Sequence, residues 1–349
     1  MSLSDKPVVI LDQHFRKVDE LFSADDYEAL NTLCHVIGGA NRPMAPALID
    51  ASLPDASFLV AARPSLTRKA LSEAGRLRAI IEVSGTFQEG LDYAYCFERG
   101  IEVLSCAPGF RFSVAEMTLG LLLAGARGIV SEHEKFRAGS EGWLVENVGS
   151  DFSLYGQSVG FVGFGAIARE TARLLAPFGA TLKVFDPWLA SSGVDIQDAT
   201  FCGLEETVLS TRCLIIAAVP TDENYHMVDR RLIERMAPGT LVVLVSRSHL
   251  VDFEALIEAA DDGRIRVATD VFPDEPVPRD ASVRHAANII LSPHRAAAVE
   301  GGRHPIGRMI VHDIEHILAG TAERSLQPAT PERIQNIIRA PRMAAVGGQ

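Results

Sequence analysis

Short apolar runs, each followed by an amphipathic stretch, recur along this chain and leave little choice of fold. PVVILD (7–12), SFLVAA (57–62), AIIEVSG (79–85) and IEVLSCA (101–107) form a first series. A second series runs through SVGFVGFG (158–165), TLKVFD (181–186), CLIIAAV (213–219), TLVVLVS (240–246), RIRVATDVF (264–272) and NIILSPH (288–294). Runs this short, apolar on both faces and separated by helical patterns, predict βαβ units and parallel sheets. The stretch 25–39, DDYEALNTLCHVIGG, reads as helical. Between the two series, residues 113–139 carry a helical pattern of more than twenty residues, read as one continuous bridge between domains.

The second series begins on Gly163-Phe164-Gly165-Ala166-Ile167-Ala168, where a strand becomes a helix. Gly163 allows the tight turn, Gly165 lets backbone approach a pyrophosphate, and Ala168 allows close helix packing. The helix N-terminus offers N–H donors to phosphates. Asp186 ends the next strand, where a carboxylate accepts from ribose hydroxyls and repels a 2′-phosphate. No Arg or Lys lies in DPWLASSG to reverse that preference, so NAD is the expected cofactor. The expected fold is α/β: two Rossmann-like or flavodoxin-like parallel-sheet domains around a cleft, the first of them discontinuous. Residues 1–112 and 298–325 make the substrate domain, 113–297 the NAD-binding domain and 326–349 a tail. The helix PIGRMIVHDIEHILAG (305–320) has no strand beside it and is expected to return to the first domain.

Composition removes other classes. The 349 residues are 47% hydrophobic and carry a net charge of −12, with no basic run. Nucleic acid and anionic membranes need clustered Lys or Arg, so neither is an expected partner. The longest apolar stretch, around MTLGLLLAGARGIV, is interrupted by Arg127 and is read as too short for a membrane span. The N-terminus lacks the cationic start and apolar core of a secretory leader. Five cysteines form no CxxC and no even framework, which places reduced thiols in the cytoplasm.

Three polar residues follow later strand candidates: Arg247 after TLVVLVS, Glu275 after VATDVF and His294 after NIILS. Ligands bind at that edge of an open α/β sheet. Arg anchors a carboxylate bidentately and polarises a carbonyl. His passes a proton to a nascent alkoxide, and Glu holds the other imidazole nitrogen and so fixes its tautomer. In TDVFPDEPVP (269–278) three prolines stiffen the platform that carries Glu275.

VSRSHLVDFEAL, TDVFPDEPVP and LSPHRAAA, spaced as they are after GFGAIA, resemble the signature blocks of the D-2-hydroxyacid dehydrogenases. Phosphoglycerate, glyoxylate/hydroxypyruvate and D-lactate enzymes belong to that group. The resemblance spans roughly residues 50 to 320. It implies that Arg247, Glu275 and His294 are catalytic and that Gly163, Gly165, Ala166, Ile167, Asp186, Pro220, Val245, Ser246, Arg247, Asp270 and His294 contact the cofactor. Asp270 is expected to face the nicotinamide amide. In VSGTFQEGLD, backbone N–H groups of Ser84, Gly85 and Thr86 are expected to cradle the substrate carboxylate beside Arg247. Phe87 stands where the family often has a second glycine, either shaping the pocket or pointing into the core.

The resemblance further implies a small 2-hydroxy or 2-keto acid as substrate and a homodimer built on the bridging helix, and a C-terminal regulatory domain of the kind some phosphoglycerate dehydrogenases carry is not expected here. The same family resembles NAD(H)-sensing corepressors, the alternative reading of this chain. His312-Asp313-Ile314-Glu315-His316 matches H-x-x-E-H. It lies in a helix assigned to packing, and no metal is expected.

Overall fold

The computed structural model describes residues 6–14, 16–143, 151–191 and 199–335. Its strands are β1 (Val8–Asp12), β2 (His35–Gly38), β3 (Ala56–Ala61), β4 (Ala79–Glu82), β5 (Glu102–Ser105), β6 (Ser158–Val162) and β7 (Thr181–Phe185). They continue with β8 (Ala199–Phe201), β9 (Cys213–Ile216), β10 (Leu241–Leu244), β11 (Arg266–Thr269), β12 (Ile289–Leu291) and β13 (Gln327–Pro328). The chain divides into two compact units. One runs to Ser113 and resumes at Ala297; the other runs from Val114 to Ala296.

In the first unit the strand order is β13-β5-β4-β3-β1-β2, parallel except for β13, which runs antiparallel to β5. Side chains alternate between the two faces of a strand. Val9, Leu11, Phe58, Val60, Ile81 and Leu104 therefore meet Ile306, Ile310, Ile314 and Ile317 of the helix His304–Ala319 on one face. Ile10, Leu59, Ile80 and Val103 face the other way, against Leu71, Tyr95 and Cys96. Complete burial of each such side chain contributes about 2 kcal/mol before chain entropy is subtracted. A Cβ at Gly307 would stand 2.4 Å from Leu21 O, so a glycine is what lets this helix close on the short helix Val18–Leu21.

In the second unit the order is β12-β11-β10-β9-β6-β7-β8, with every pair parallel. All C-terminal strand ends thus lie on one edge. The order reverses between β6 and β9, the topological switch point at which such sheets take ligands.

The fold differs from the sequence reading in four places. Residues 35–38, read as the end of a helix, form edge strand β2, because Val36 and Ile37 pair with Val9 and Ile10. The tail from 326 is not separate: Leu326 is buried and β13 extends the first sheet. The bridge is two helices, Arg111–Ala126 and Ile129–Ala138, parted at Gly128, which adopts the left-handed φ of 59°. The stretch read as too short for a membrane span belongs to Ala107–Ala126, which is in fact long and apolar enough to cross one by length and composition, with a mean hydropathy of 1.2. Half of it is buried inside the protein, Leu122 and Ala126 completely, which identifies core packing as the reason for its composition.

Candidate functional site

The second unit gathers most of the expected residues on one sheet edge. Gly163 follows β6 with φ 84°, and a Cβ there would lie 2.4 Å from Ala218 Cα, so only glycine fits the turn. Around Gly165, by contrast, a Cβ would meet nothing within 4 Å. Its backbone is open to a close-approaching ligand. Gly165 caps the helix Ala166–Leu175 without any side-chain cap, which leaves first-turn N–H groups without a side-chain acceptor. Ala168 packs buried beneath. This glycine cradle fits a pyrophosphate.

Asp186 follows β7. Its carboxylate accepts from Phe164 N at 2.8 Å and Leu189 N at 2.9 Å, tying the glycine turn to the second strand. Pro220 follows β9, and the turn after it is held by a capping box between Thr221 and Asn224. Val245, Ser246 and Arg247 follow β10. Ser246 Oγ donates to Ile216 O at 3.1 Å, and the exposed Arg247 donates through Nη1 to Ser246 O at 2.7 Å.

Beyond β11 the chain delivers Glu275. Its Oε1 accepts from Phe272 N at 3.0 Å and its Oε2 lies 2.6 Å from His294 Nδ1. A carboxylate only accepts, so Nδ1 carries the proton donated to Glu275. Nε2 is then the nitrogen left for other chemistry. Burial works against the Glu275 carboxylate. The His294 hydrogen bond and charge, the Phe272 N–H and the Arg247 charge together outweigh it and bring the pKa below the ordinary value. Arg247 and His294 thus each act on the Glu275 carboxylate.

Asp270, expected to face the nicotinamide amide, follows β11. It is 1% exposed, and its carboxylate accepts from Ser292 Oγ, from Arg295 N at 2.9 Å and from Ala296 N at 3.0 Å. These donors flank His294, whose φ of 47° lies in the left-handed region that a non-glycine residue rarely adopts. Asp270 thus grips the loop on both sides of the imidazole. Sequence reasoning missed Ser292 as part of this clamp, for a lone serine after a strand carries no signal.

In the first unit the expected anion cradle is already filled. Glu82, the last residue of β4, is 1% exposed. Its Oε2 accepts from Ser84 N at 2.8 Å, Ser84 Oγ at 2.6 Å and Gly85 N at 2.9 Å, and its Oε1 accepts from Ser105 Oγ. Thr86 N turns to Ser84 Oγ at 3.4 Å. A buried carboxylate needs donors, and these backbone groups are the nearest ones. Burial raises the Glu82 pKa, with the Ser105, Ser84 and Gly85 hydrogen bonds opposing the rise. Of the expected cradle, the Ser84 and Gly85 N–H groups therefore serve the chain's own acid and Thr86 N serves the Ser84 hydroxyl. A carboxylate two residues before the loop was the available signal. Phe87 points into the core, edge-on to Tyr93 with ring centres 6.3 Å apart.

Known proteins are similar to this chain in sequence and fold. The family model described as D-isomer specific 2-hydroxyacid dehydrogenase, NAD binding domain, matches residues 119–296, just over half of the chain. A D-3-phosphoglycerate dehydrogenase from Methanocaldococcus jannaschii is 29% identical over 77% of this chain and 51% of its own length. A glyoxylate/hydroxypyruvate reductase B from Yersinia pestis is 27% identical over 79% of this chain and 85% of its own. The chain spans about half the length of the phosphoglycerate dehydrogenases it matches. A crystal structure of a phosphoglycerate oxidoreductase from Rhizobium etli superposes with a TM-score of 0.83 at 31% identity, covering 93% of this chain and 99% of that one.

Proposed function

Because this chain belongs to the D-isomer specific 2-hydroxyacid dehydrogenase family, with that family's NAD-binding domain, we propose that it moves a hydride between NAD(H) and a small 2-hydroxy or 2-keto acid. The observation that carries the reading is the His294 Nδ1 to Glu275 Oε2 pair, on the sheet edge that also holds Arg247 and the glycine turn. Hydroxypyruvate, glyoxylate and phosphoglycerate-like acids are the substrate class, in keeping with the names of the relatives.

NADH, when bound, supplies the hydride that reduces the carbonyl carbon. Gly163, Gly165, Ala166 and Ile167 hold its pyrophosphate, and Asp186 takes the adenosine ribose, its charge disfavouring a 2′-phosphate. Pro220, Val245 and Ser246 line the remainder of the cofactor's path. Arg247 holds the substrate carboxylate by a bidentate contact and polarises the carbonyl. The doubly protonated His294 ring donates its Nε2 proton to the carbonyl oxygen as the alkoxide forms and is left as the neutral Nδ1–H tautomer, which Glu275 holds in orientation. In the reverse direction the same nitrogen takes the proton back. Asp270 serves the cofactor side of the site through the loop it grips. The unit that ends at Ser113 and resumes at Ala297 is assigned to the substrate. With Ser84 and Gly85 N–H groups turned on Glu82, carboxylate anchoring passes to Arg247.

The test follows NADH absorbance with glyoxylate, hydroxypyruvate, pyruvate, phosphohydroxypyruvate and bulkier 2-keto acids, with NADPH in parallel. Turnover with one acid and a marked preference for NADH is expected. Tight NADH binding without turnover of any acid would overturn the reading.

A homodimer in the cytoplasm completes the proposal. Along the helix Ile129–Ala138, Ile129, Val130 and Phe136 are exposed, and Trp143 packs on Phe136 with ring centres 6.1 Å apart. Such clustered apolar side chains mark an association surface. Light scattering at micromolar concentration should return twice the chain mass of 37.7 kDa, and a monomeric mass would refute the dimer. The five cysteines are free thiols, four of them buried, as a reducing compartment permits.

A further inference from the structure

The helix His304–Ala319 turns its isoleucines to the core of the first unit, which leaves His312 and His316 together on an adjoining face. One turn apart, their rings stack with centres 4.1 Å apart and planes 25° from parallel. The helix ends at Gly320, whose φ of 73° reverses the chain. The returning segment brings the Glu323 carboxylate to 3.7 Å from His312 Nε2 and 3.9 Å from His316 Nδ1. One ligand atom from each of the three residues lies within 4.8 Å of the others.

A second set of contacts orients these side chains from behind. His312 Nδ1 lies 2.9 Å from Asp313 Oδ1 and 3.1 Å from Ser325 Oγ. Asp313 is completely buried, and its carboxylate also accepts from Ser325 N at 2.7 Å and Leu326 N at 2.9 Å. It is a fixed anchor that leaves His312 Nε2 facing Glu323. A carboxylate behind the far nitrogen is the usual support of a metal-binding imidazole, setting its tautomer and raising its basicity. Thr321 Oγ1, 2.7 Å from His316 Nδ1, places a further oxygen at the cluster.

We propose that His312, His316 and Glu323 form a binding site for a divalent ion of the zinc class, through His312 Nε2, a ring nitrogen of His316 and the Glu323 carboxylate. Two imidazoles and one carboxylate suit Zn²⁺ or Ni²⁺, whereas Mg²⁺ and Ca²⁺ seek six or more oxygens. Tetrahedral ligands at about 2.1 Å from zinc stand roughly 3.4 Å apart. The three ligand atoms here lie within 4.8 Å of one another, so an ion would have to draw them together, and Glu323, with 69% of its side chain exposed, has room to move in. Three protein ligands leave a fourth position for water or the Thr321 hydroxyl.

This is not the metalloprotease arrangement that the motif alone suggested. Glu315 is exposed and lies outside the cluster, and the third ligand comes from beyond the helix end. The ion would instead tie the C-terminal turn of the helix to residues 321–326, which lead into β13. Its effect is on stability, since an ion that binds only the folded chain raises the unfolding temperature.

The test uses tag-free, chelator-dialysed full-length protein, titrated with Zn²⁺ by calorimetry and followed by thermal unfolding. One ion per chain is expected at this site, with a rise in Tm that Mg²⁺ does not reproduce. His316→Ala should abolish that ion and Glu323→Gln weaken it at least tenfold, whereas His133→Ala, on a different exposed helix, should leave it intact. Circular dichroism of the apo variants checks that each remains folded. Wild-type stoichiometry and affinity in both His316→Ala and Glu323→Gln would overturn the proposal, as would the absence of saturable Zn²⁺ binding in the wild type.

Discussion

His294→Ala is expected to lower turnover by roughly 10² to 10⁴, the scale of a lost general acid, with NADH affinity nearly unchanged. The expectation rests on the 2.6 Å contact that points Nδ1 at Glu275 and leaves Nε2 for the substrate. Arg247→Ala should cost turnover on the same scale and raise KM as well, because it removes the cation that holds the carboxylate. If either variant keeps wild-type kcat, the assigned role is wrong. The pairing also has a signature in pH. Glu275 has a folded-state pKa below its ordinary value, so the folded state favours its ionised form. That stabilisation is complete above the unfolded-state value of about 4.3 and is lost as pH falls through the lower, folded value. The gap in unfolding free energy between wild type and Glu275→Gln should therefore be flat from neutrality down to about pH 5 and shrink below it. A gap that instead widened on acidification would contradict the assigned direction.

Asp270→Ala should be the most damaging single change, lowering both stability and turnover although Asp270 is 1% exposed. Removing the carboxylate leaves Ser292 Oγ, Arg295 N and Ala296 N without their acceptor. Each buried donor without a partner costs about 1–3 kcal/mol, which makes a loss of roughly 3–9 kcal/mol for the three. The same bonds hold His294 in a left-handed conformation that by itself costs about 1–3 kcal/mol. Released, the loop should relax and carry the imidazole away from Glu275. Asp270→Asn keeps one acceptor oxygen but aims a donor at another donor, so it should fall between wild type and alanine. Thermal unfolding and kcat measured on the three proteins decide the matter. Wild-type kcat in a destabilised Asp270→Ala would show that the clamp serves the fold alone.

How much of this was legible in the residues varies with the range of the interactions. The parallel strands were visible because double-sided burial writes a continuous apolar run, as in CLII of β9 and LVVL of β10. The glycine turn was visible because Gly163 has a steric requirement that no other residue meets. Edge strands β2, β8 and β13 were not, since two to four residues that are not apolar throughout carry no periodicity. The break at Gly128 was hidden inside an uninterrupted helical pattern, because a single glycine fits a helix as well as it ends one.

The site divides along the same line. Which residue types stand at each strand end, and hence Arg247, Glu275, His294 and the nucleotide turn, followed from the chain itself, for parallel connectivity puts every C-terminal end on one edge. What those residues touch was decided by tertiary structure. Glu82 looked like the end of a strand and proved to be the acceptor for Ser84 and Gly85 N–H. That Asp270 also accepts from Arg295 N and Ala296 N, just after His294, had no sign in the sequence. Glu323 gave no local sign of the histidines seven and eleven residues before it, because it meets them only after Gly320 reverses the chain. Backbone geometry and side-chain alternation are local, and a sequence carries them directly. The partner of a buried charge is set by desolvation, which acts only once the chain has closed around it.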